Sequence, residues 1–144
     1  MDYGIVIEKI HQELKAYWGK GKVADYIPAL AEVEPKRYGI AIETLDGHSF
    51  QVGDADIRFS IQSISKVFAL AMVTRHLGDR IWKFVGREPS GNPFNSLVQL
   101  EYEHGIPRNP FINAGALVVT DRLMSLYEQP KDAILQFVRG ICGN

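Results

Sequence analysis

The chain of 144 residues is long enough to form one domain with a substantial hydrophobic core. Hydrophobic residues make up 46% of it and charged residues 23%, a composition typical of globular proteins in water. The 16 lysines and arginines nearly balance the 17 aspartates and glutamates. The formal net charge of −1 therefore offers no electrostatic argument for binding nucleic acid or an anionic membrane.

Cysteine usage and the N-terminus bear on where the protein works. A single cysteine, Cys142, excludes an internal disulfide framework and suits a reducing compartment. The N-terminus lacks the basic start and unbroken apolar core of a signal peptide. No apolar run approaches the ~18 residues that span a bilayer. We expect a cytoplasmic protein without a membrane segment.

The first predicted element is an amphipathic helix from about Ile5 to Trp18. Its apolar residues recur at three- and four-residue steps: Ile7, Ile10, Leu14 and Tyr17. The glycines and lysines at 19–22 end it in a turn that lacks the order of a phosphate-binding loop. A short helix is predicted to open at Pro28. By composition alone, Tyr26 just before it is a packed aromatic with its hydroxyl at the surface.

A β-hairpin is predicted next. Residues 38–45 are strand-like, Asp46-Gly47 is a strong hairpin signal, and residues 48–52 return as the second strand. The turn at 53–56 contains two aspartates, but its spacing does not continue as a calcium-binding loop. Two strands alone form a sheet that is marginal in water. The sheet of the folded protein therefore needs either more chain or an associating copy.

The central predicted element is a helix whose residues from Val67 to Val73 are all apolar, followed by a basic turn and Gly78. A helix that is apolar all round is normally buried on every side. Ser63 and Lys66 stand at its front with an i, i+3 spacing, which places both side chains on one helical face. The sequence therefore predicts a hydroxyl and an amine held side by side at a helix N-terminus.

Such a pair suits acyl transfer by a serine nucleophile. A serine hydroxyl needs an adjacent base, and a lysine can serve if it is neutral at working pH. The positive end of the helix favours both the neutral amine and a developing negative charge. The same tetrad also fits a capping serine followed by an ordinary helix lysine. Spacing alone leaves both interpretations open.

The rest of the chain is predicted to be mostly helical. A short helix is predicted at 80–86, and the residues on its inward side are Ile81, Trp82 and Val85. An irregular tract to Pro110 includes a brief strand-like piece at 95–100, and long loops of this kind often carry function. A helix then runs from Asn113, as its N-cap, to about Tyr127. The last helix follows Pro130 over 131–139, with an inward set of Ile134, Phe137, Val138 and Ile141.

Three segments carry a family resemblance. They are GKVADYIPAL at residues 21–30, FSIQSISKV at residues 59–67 and GIPRNPFINAGA at residues 105–116. In this order and spacing they closely resemble the serine-dependent glutaminases, which share the fold of the β-lactamases and penicillin-binding proteins. The likeness runs from about Gly19 to the C-terminus.

The resemblance implies hydrolysis of L-glutamine to L-glutamate and ammonia through a glutamyl-enzyme ester. Ser63 would be the nucleophile and Lys66 its base, while the Ser63 backbone N–H would donate to the oxyanion. Tyr26 would line the substrate pocket with its hydroxyl, and Gln62 would shape the pocket wall. Asn113 would hold the α-carboxylate or α-amino end of glutamine. We expect no cofactor, no metal and no nucleic-acid partner.

Members of this family continue for about as long again beyond the matched segments. We therefore expect residues 1–144 to form the N-terminal half of a single glutaminase domain, with an α+β, β-lactamase-like architecture. That architecture would be incomplete, with one hairpin and five or six helices but without the C-terminal strands. The family tends to form dimers and tetramers, so we expect a homo-oligomer. Two alternatives are a non-catalytic half-domain that folds only by association, and a penicillin-recognising serine acyltransferase.

Overall fold

The structure, a computed structural model, describes residues 2–91, 93–96 and 98–143. Within those residues it contains six α-helices, several short 3₁₀ turns and one two-stranded sheet, so the predicted α+β class is confirmed. The chain divides into two compact units, Met1–Phe59 and Ser60–Asn144. The hairpin belongs to the first unit, and the predicted central helix belongs to the second.

The first unit begins with helix α1, Tyr3–Leu14, which continues as a 3₁₀ turn over Lys15–Tyr17. The helix starts two residues earlier than predicted because the Asp2 carboxylate caps it, accepting a hydrogen bond from the Ile5 N–H at 3.2 Å. The predicted apolar face is wrong in part, since Ile10 is exposed and the buried residues of α1 are Ile7 and His11.

The hairpin of the first unit pairs β1, Gly39–Glu43, with β2, Ser49–Gly53, in antiparallel register from Gly39 opposite Gly53 to Glu43 opposite Ser49. Its loop closes where the Thr44 N–H donates to the His48 carbonyl, and Gly47 supplies a left-handed residue with φ of 83°. Helix α1 packs on both strands, and the His11 ring lies against Trp18 and Tyr38. Helix α2, Pro28–Ala31, opens at the predicted proline.

The second unit begins with a 3₁₀ turn at Gln62–Ile64 that leads directly into helix α3, Ser65–Leu77. Gly78 ends α3 with φ of 55°, and a 3₁₀ segment follows over Gly78–Lys83. Three further helices complete the unit: α4, Val98–Tyr102; α5, Asn113–Leu126; and α6, Pro130–Ile141. The predicted helices after Asn113 and Pro130 are thus confirmed.

The core of the second unit lies where α3 meets α5, α6 and the 3₁₀ segment. Its buried residues are Ala69, Met72, Val73, Ile81, Val85, Val119 and Leu123. The inward placement predicted for Ile81 and Val85 is therefore confirmed, and Trp82 packs partly against the same core. Burial supplies most of the favourable free energy that holds these short helices together.

The prediction that α3 is buried on every side is wrong for the described chain. Val67 is 50% exposed and Ala71 is also exposed, whereas Met72 and Val73 on the other flank are buried. An apolar sequence shows that a helix tolerates burial on all sides, but a neighbouring element must still be present to cover it. Within the described residues, α5 and α6 pack against the buried flank.

Three smaller predictions are also wrong. The strand-like piece at 95–100 is instead loop followed by α4, because tertiary context overrides weak strand propensity in so short a segment; Leu97 lies outside the described residues. Asn113 is the first helical residue of α5 rather than its N-cap, a position that Ile112 occupies. Ile141, predicted to point inward from α6, is exposed, although Ile134 and Phe137 do pack against the core.

None of the helices in the described part of the chain combines the length and the apolar content that crossing a bilayer requires.

Candidate active site around Lys66

Ser63 lies in the 3₁₀ turn just before α3, and Lys66 is the second residue of that helix. Ser63 is exposed and Lys66 is half-buried. Residues three apart in a 3₁₀ turn joined to an α-helix lie on nearly the same side, and the shared face predicted for these two side chains stays a prediction. The hydroxyl and the amine therefore both belong to the N-terminal end of α3.

Lys66 makes its hydrogen bonds to the segment that leads into α5. Its Nζ donates to the side-chain Oδ1 of Asn113 at 2.8 Å and to the backbone carbonyl of Phe111 at 3.0 Å. The same Nζ lies 5.9 Å from the centre of the Phe94 ring. Two predicted site residues from different motifs, Lys66 and Asn113, are therefore in direct contact.

The position of Asn113 leaves its side chain available for this contact. Its backbone N–H donates to the Phe94 carbonyl at 2.8 Å, and Ile112 supplies the N-cap position without a side-chain cap. The Asn113 amide is thus not needed to satisfy the first turn of α5. Its Oδ1 accepts from Lys66, while the NH₂ of the amide keeps two donors.

The loop that supplies the Phe111 carbonyl is itself fixed. The Phe111 N–H donates to Asn109 Oδ1 at 2.8 Å, which is the local turn that asparagine side chains favour. Asn109 Nδ2 donates to the Glu88 carbonyl at 3.0 Å. Two backbone hydrogen bonds join the same two stretches of chain: the Gly86 N–H donates to Pro107 O at 2.7 Å and the Glu88 N–H to Arg108 O at 2.9 Å.

Two glycines permit the close approach of this loop. A Cβ at Gly115, in the first turn of α5, would lie 1.9 Å from the Asn109 carbonyl oxygen. A Cβ at Gly86 would lie 2.7 Å from the Arg108 carbonyl oxygen. Both contacts are with backbone atoms, which cannot move aside as a flexible side chain would. The glycines therefore set how near the loop comes to α5 and to residues 86–88.

A pocket of about 360 Å³ adjoins Asn113. It is lined by Asn95, Asn113, Ala116, Leu117 and Thr120. Two amides and a hydroxyl on a largely apolar wall are the kind of lining that orients a small polar molecule. The pocket opens on the face of α5 that also presents the Asn113 side chain.

The two serines near Lys66 have different surroundings. Ser65 Oγ donates to the Gln62 carbonyl at 2.8 Å, so its hydroxyl is engaged within the turn. Ser63 Oγ has no hydrogen-bond partner among the described residues, and Lys66 is directed to Phe111 and Asn113 instead. Gln62 Nε2 donates to Ser60 Oγ at 2.8 Å, and its backbone has a positive φ of 45°.

Tyr26 belongs to the first unit, in the bend before α2, and its residue surface is 78% exposed. Its predicted role in substrate binding stays a prediction.

Sequence reasoning missed the Phe111 carbonyl and Asn109. The carbonyl is a backbone group that carries no residue-type signal, whereas Asn109 lies inside the third motif and its turn chemistry could have indicated its role.

Comparison with known proteins shows the family to which the chain belongs. The glutaminase family model matches residues 21–144. The chain is 55% identical over 144 residues to a glutaminase of Ralstonia nicotianae, covering 100% of this chain and 47% of that protein. It is 58% identical over 139 residues to a glutaminase of Salmonella arizonae, covering 96% of this chain and 45% of that protein.

Solved structures give the same result. The probable glutaminase ybaS superposes with a TM-score of 0.76 at 35% identity, covering 92% of this chain and 45% of that one. A probable glutaminase of Bacillus subtilis gives a TM-score of 0.69 at 28% identity, covering 88% of this chain and 41% of that one. The architecture is therefore that of the β-lactamase-like glutaminases, as predicted.

The chain spans about half the length of the curated relatives that it matches. Within that half lie all three predicted motifs, the Ser63–Lys66 pair and the Lys66–Asn113 contact. The match extends over most of the chain at more than half identity. The chain belongs to the glutaminase family.

Proposed function

We propose that the protein to which this chain contributes hydrolyses L-glutamine to L-glutamate and ammonia. The Ser63 hydroxyl attacks the side-chain amide carbon of glutamine, and Lys66 acts as the base that takes the hydroxyl proton. The tetrahedral intermediate collapses as that proton passes to the leaving nitrogen, which releases ammonia and leaves a glutamyl ester on Ser63. A water molecule then hydrolyses the ester, with Lys66 again moving the proton.

The observation that carries this proposal is the contact between Lys66 Nζ and Asn113 Oδ1 at 2.8 Å, between residues 47 positions apart. The Lys66 amine therefore lies beside the Asn113 amide, which is predicted to hold the amino-acid end of glutamine. Because Asn113 uses its oxygen for Lys66, its NH₂ remains for the α-carboxylate of the substrate. One residue can thus orient both the base and the substrate.

The backbone at Ser63 supports its second role. Within the described residues, the Ser63 N–H donates to no backbone carbonyl, and it stands at the N-terminal end of α3. A free N–H at a helix N-terminus is a donor for developing negative charge. We propose that it is one oxyanion donor; removing a donor of this kind lowers kcat by about 10²–10³-fold.

The proposed substrate and product are amino acids, and a similar protein has been solved in a form named for one of them. A protein called Mglu, 37% identical with a TM-score of 0.73, has been solved in what is described as its glutamate form. The proposed reaction forms glutamate.

Tyr26 and Gln62 are proposed as further substrate contacts. We also propose that the protein acts in the cytoplasm as a homo-oligomer, without a cofactor or a nucleic-acid partner.

The test uses a hybrid in which this chain replaces the matching segment of the Ralstonia glutaminase, since the two align over 144 residues. We expect the hybrid to release ammonia from L-glutamine. Ser63→Ala should abolish that release because it removes the nucleophile. Hydroxylamine added during turnover should intercept the ester as γ-glutamyl hydroxamate, and mass spectrometry should find the acyl group on Ser63.

Ser65→Ala is the matched control. Its hydroxyl is engaged with the Gln62 carbonyl, so the variant should keep much of the activity. Equal loss in both variants would contradict the assignment of Ser63. A chromogenic cephalosporin tests the acyltransferase alternative: acylation of Ser63 by the cephalosporin, without ammonia release from glutamine, would replace the proposed function with that one.

A further inference from the structure

We propose that Asn109 is a positioning residue that fixes the two acceptors around the Lys66 amine. The inference rests on the proposed function, since it concerns the orientation of the proposed base. Asn109 itself does not contact Lys66 among the hydrogen bonds of the structure; it acts through Phe111 and the start of α5.

The Asn109 side chain uses both of its polar atoms to join separate segments. Its Oδ1 accepts from the Phe111 N–H at 2.8 Å, two residues further along the chain. Its Nδ2 donates to the Glu88 carbonyl at 3.0 Å, 21 residues earlier. The side chain therefore ties the turn at 109–111 to residues 86–88, and a side chain without an amide would release both bonds.

The Asn109 backbone meets α5 as well. A Cβ at Gly115 would lie 1.9 Å from the Asn109 carbonyl oxygen, so only glycine lets this carbonyl rest against the first turn of α5. Glu88 is held in turn by the bond from its N–H to the Arg108 carbonyl at 2.9 Å. Asn109 is thus the point at which residues 86–88, the turn and α5 are joined.

The consequence reaches Lys66 through two short links. Phe111, whose N–H Asn109 holds, presents its carbonyl to Lys66 Nζ at 3.0 Å. Asn113, in the turn of α5 against which Asn109 packs, presents Oδ1 to the same Nζ at 2.8 Å. If the turn at 109–111 changes conformation, the Phe111 carbonyl and Asn113 Oδ1 move together, and the Lys66 amine is no longer held in one orientation. A displacement of about 1 Å in a catalytic group can cost 10²-fold in rate.

The experiment measures Lys66 directly in the 144-residue chain, so that it does not depend on turnover. The chain is acetylated with a limiting amount of acetic anhydride at one pH, and mass spectrometry gives the labelling rate of each lysine. The rate of Lys66 is divided by that of Lys83, an exposed lysine in the same unit. Two variants, Asn109→Ala and Asn109→Ser, are compared with the wild type.

We expect Asn109→Ala to raise the Lys66/Lys83 ratio by about two- to tenfold, because freeing the amine from two acceptors exposes it to the reagent. Asn109→Ser keeps a weaker acceptor for the Phe111 N–H and should give an intermediate ratio. Leu126→Ala is the control for general loosening, since Leu126 packs against the core and makes none of these bonds. It should leave the ratio within about twofold of the wild type.

A ratio in Asn109→Ala no higher than that in Leu126→Ala would overturn the inference. If Asn109→Ala does not fold, as judged by circular dichroism, Asn109→Ser decides, and a ratio equal to the wild type overturns the inference there. The hybrid enzyme separates this outcome from the fate of the proposed function. If the proposed role of Ser63 is wrong, the hybrid will keep its turnover when Ser63 is replaced by alanine. The labelling ratio does not depend on turnover and tests the role of Asn109 alone.

Discussion

At the scale of single residues, the backbone of Gln62 stands out because of its place beside Ser63. Its φ of 45° lies in the left-handed region, which costs a residue with a side chain roughly 1–2 kcal/mol. Strain of this kind is held by surrounding contacts and clusters at functional sites. The Gln62 carbonyl accepts from Ser65 Oγ, which helps to keep the turn in this conformation.

Substituting Gln62 tests whether that strain belongs to the site. Gln62→Gly should raise the free energy of unfolding relative to Gln62→Ala by about 0.5–1 kcal/mol, because glycine adopts a positive φ without steric cost. Both variants lose the bond to Ser60, so the comparison isolates the backbone. Urea denaturation measures the difference. A glycine variant less stable than the alanine variant would show that the positive φ carries no strain.

The Lys66–Asn113 contact shows how one residue gains a role from its position. At the start of α5, an asparagine would usually cap the helix, yet here it is the first helical residue and its oxygen turns to Lys66. The N-cap position is occupied by Ile112, whose apolar side chain cannot accept a hydrogen bond from the Lys66 amine. The exchange of a cap for a lysine contact costs some helix stability and contributes an orienting bond to the site.

At the scale of elements, α5 meets the 109–113 turn through Gly115. Gly115→Ala should destabilise the protein by roughly 2–4 kcal/mol, because its Cβ would lie 1.9 Å from the Asn109 carbonyl oxygen and the turn would have to move. Gly140→Ala, in α6, is the matched control. Among the described residues, no atom beyond its chain neighbours and its own helix backbone lies within 4 Å of its Cβ position, and alanine should stabilise that helix by about 0.5–1 kcal/mol.

Thermal denaturation of the two glycine variants gives the measurement. The opposite signs distinguish a steric effect at Gly115 from the general preference of helices for alanine, which applies to both positions. If Gly115→Ala were as stable as Gly140→Ala, the close approach of the turn to α5 would be wrong, and the geometry around Lys66 would have to be revised.

The two flanks of α3 differ in what covers them. Met72→Ala should cost about 2–5 kcal/mol, because Met72 is only 3% exposed and its removal leaves a cavity in the core. Val67→Ala should change stability by less than about 1 kcal/mol, since Val67 is 50% exposed and alanine is the better helix former. Chemical denaturation of the 144-residue chain measures both. Comparable losses would mean that another part of the molecule covers Val67.

At the scale of the whole molecule, the chain spans about half the length of its curated relatives. We expect the 144-residue chain alone to show negligible glutaminase activity, since its relatives are about twice as long and the loss of a single transition-state contact such as an oxyanion donor costs ~2.7–4 kcal/mol. Ammonia release by the purified chain, compared with the hybrid at equal concentration, measures this. Turnover by the chain within tenfold of the hybrid would contradict the expectation.

Local chemistry in the sequence determined much of this protein. Pro28 and Pro130 mark helix starts because proline suits the first helical turn, and Asp46-Gly47 marks the hairpin because glycine there adopts a positive φ. The three motifs, with Ser63, Lys66 and Asn113 in them, identify the family. These signals are local, so they can be interpreted from the sequence without knowing which elements pack against them.

Only the tertiary structure decided which flank of α3 is covered and where the Lys66 amine points. Burial depends on whether a neighbouring element is present, and an apolar run such as 67–73 looks the same with or without one. The Phe111 carbonyl that binds Lys66 is 45 positions away and belongs to the backbone, which every residue shares. Its direction follows from the Asn109 turn and its packing on Gly115, contacts that exist only once the chain has folded.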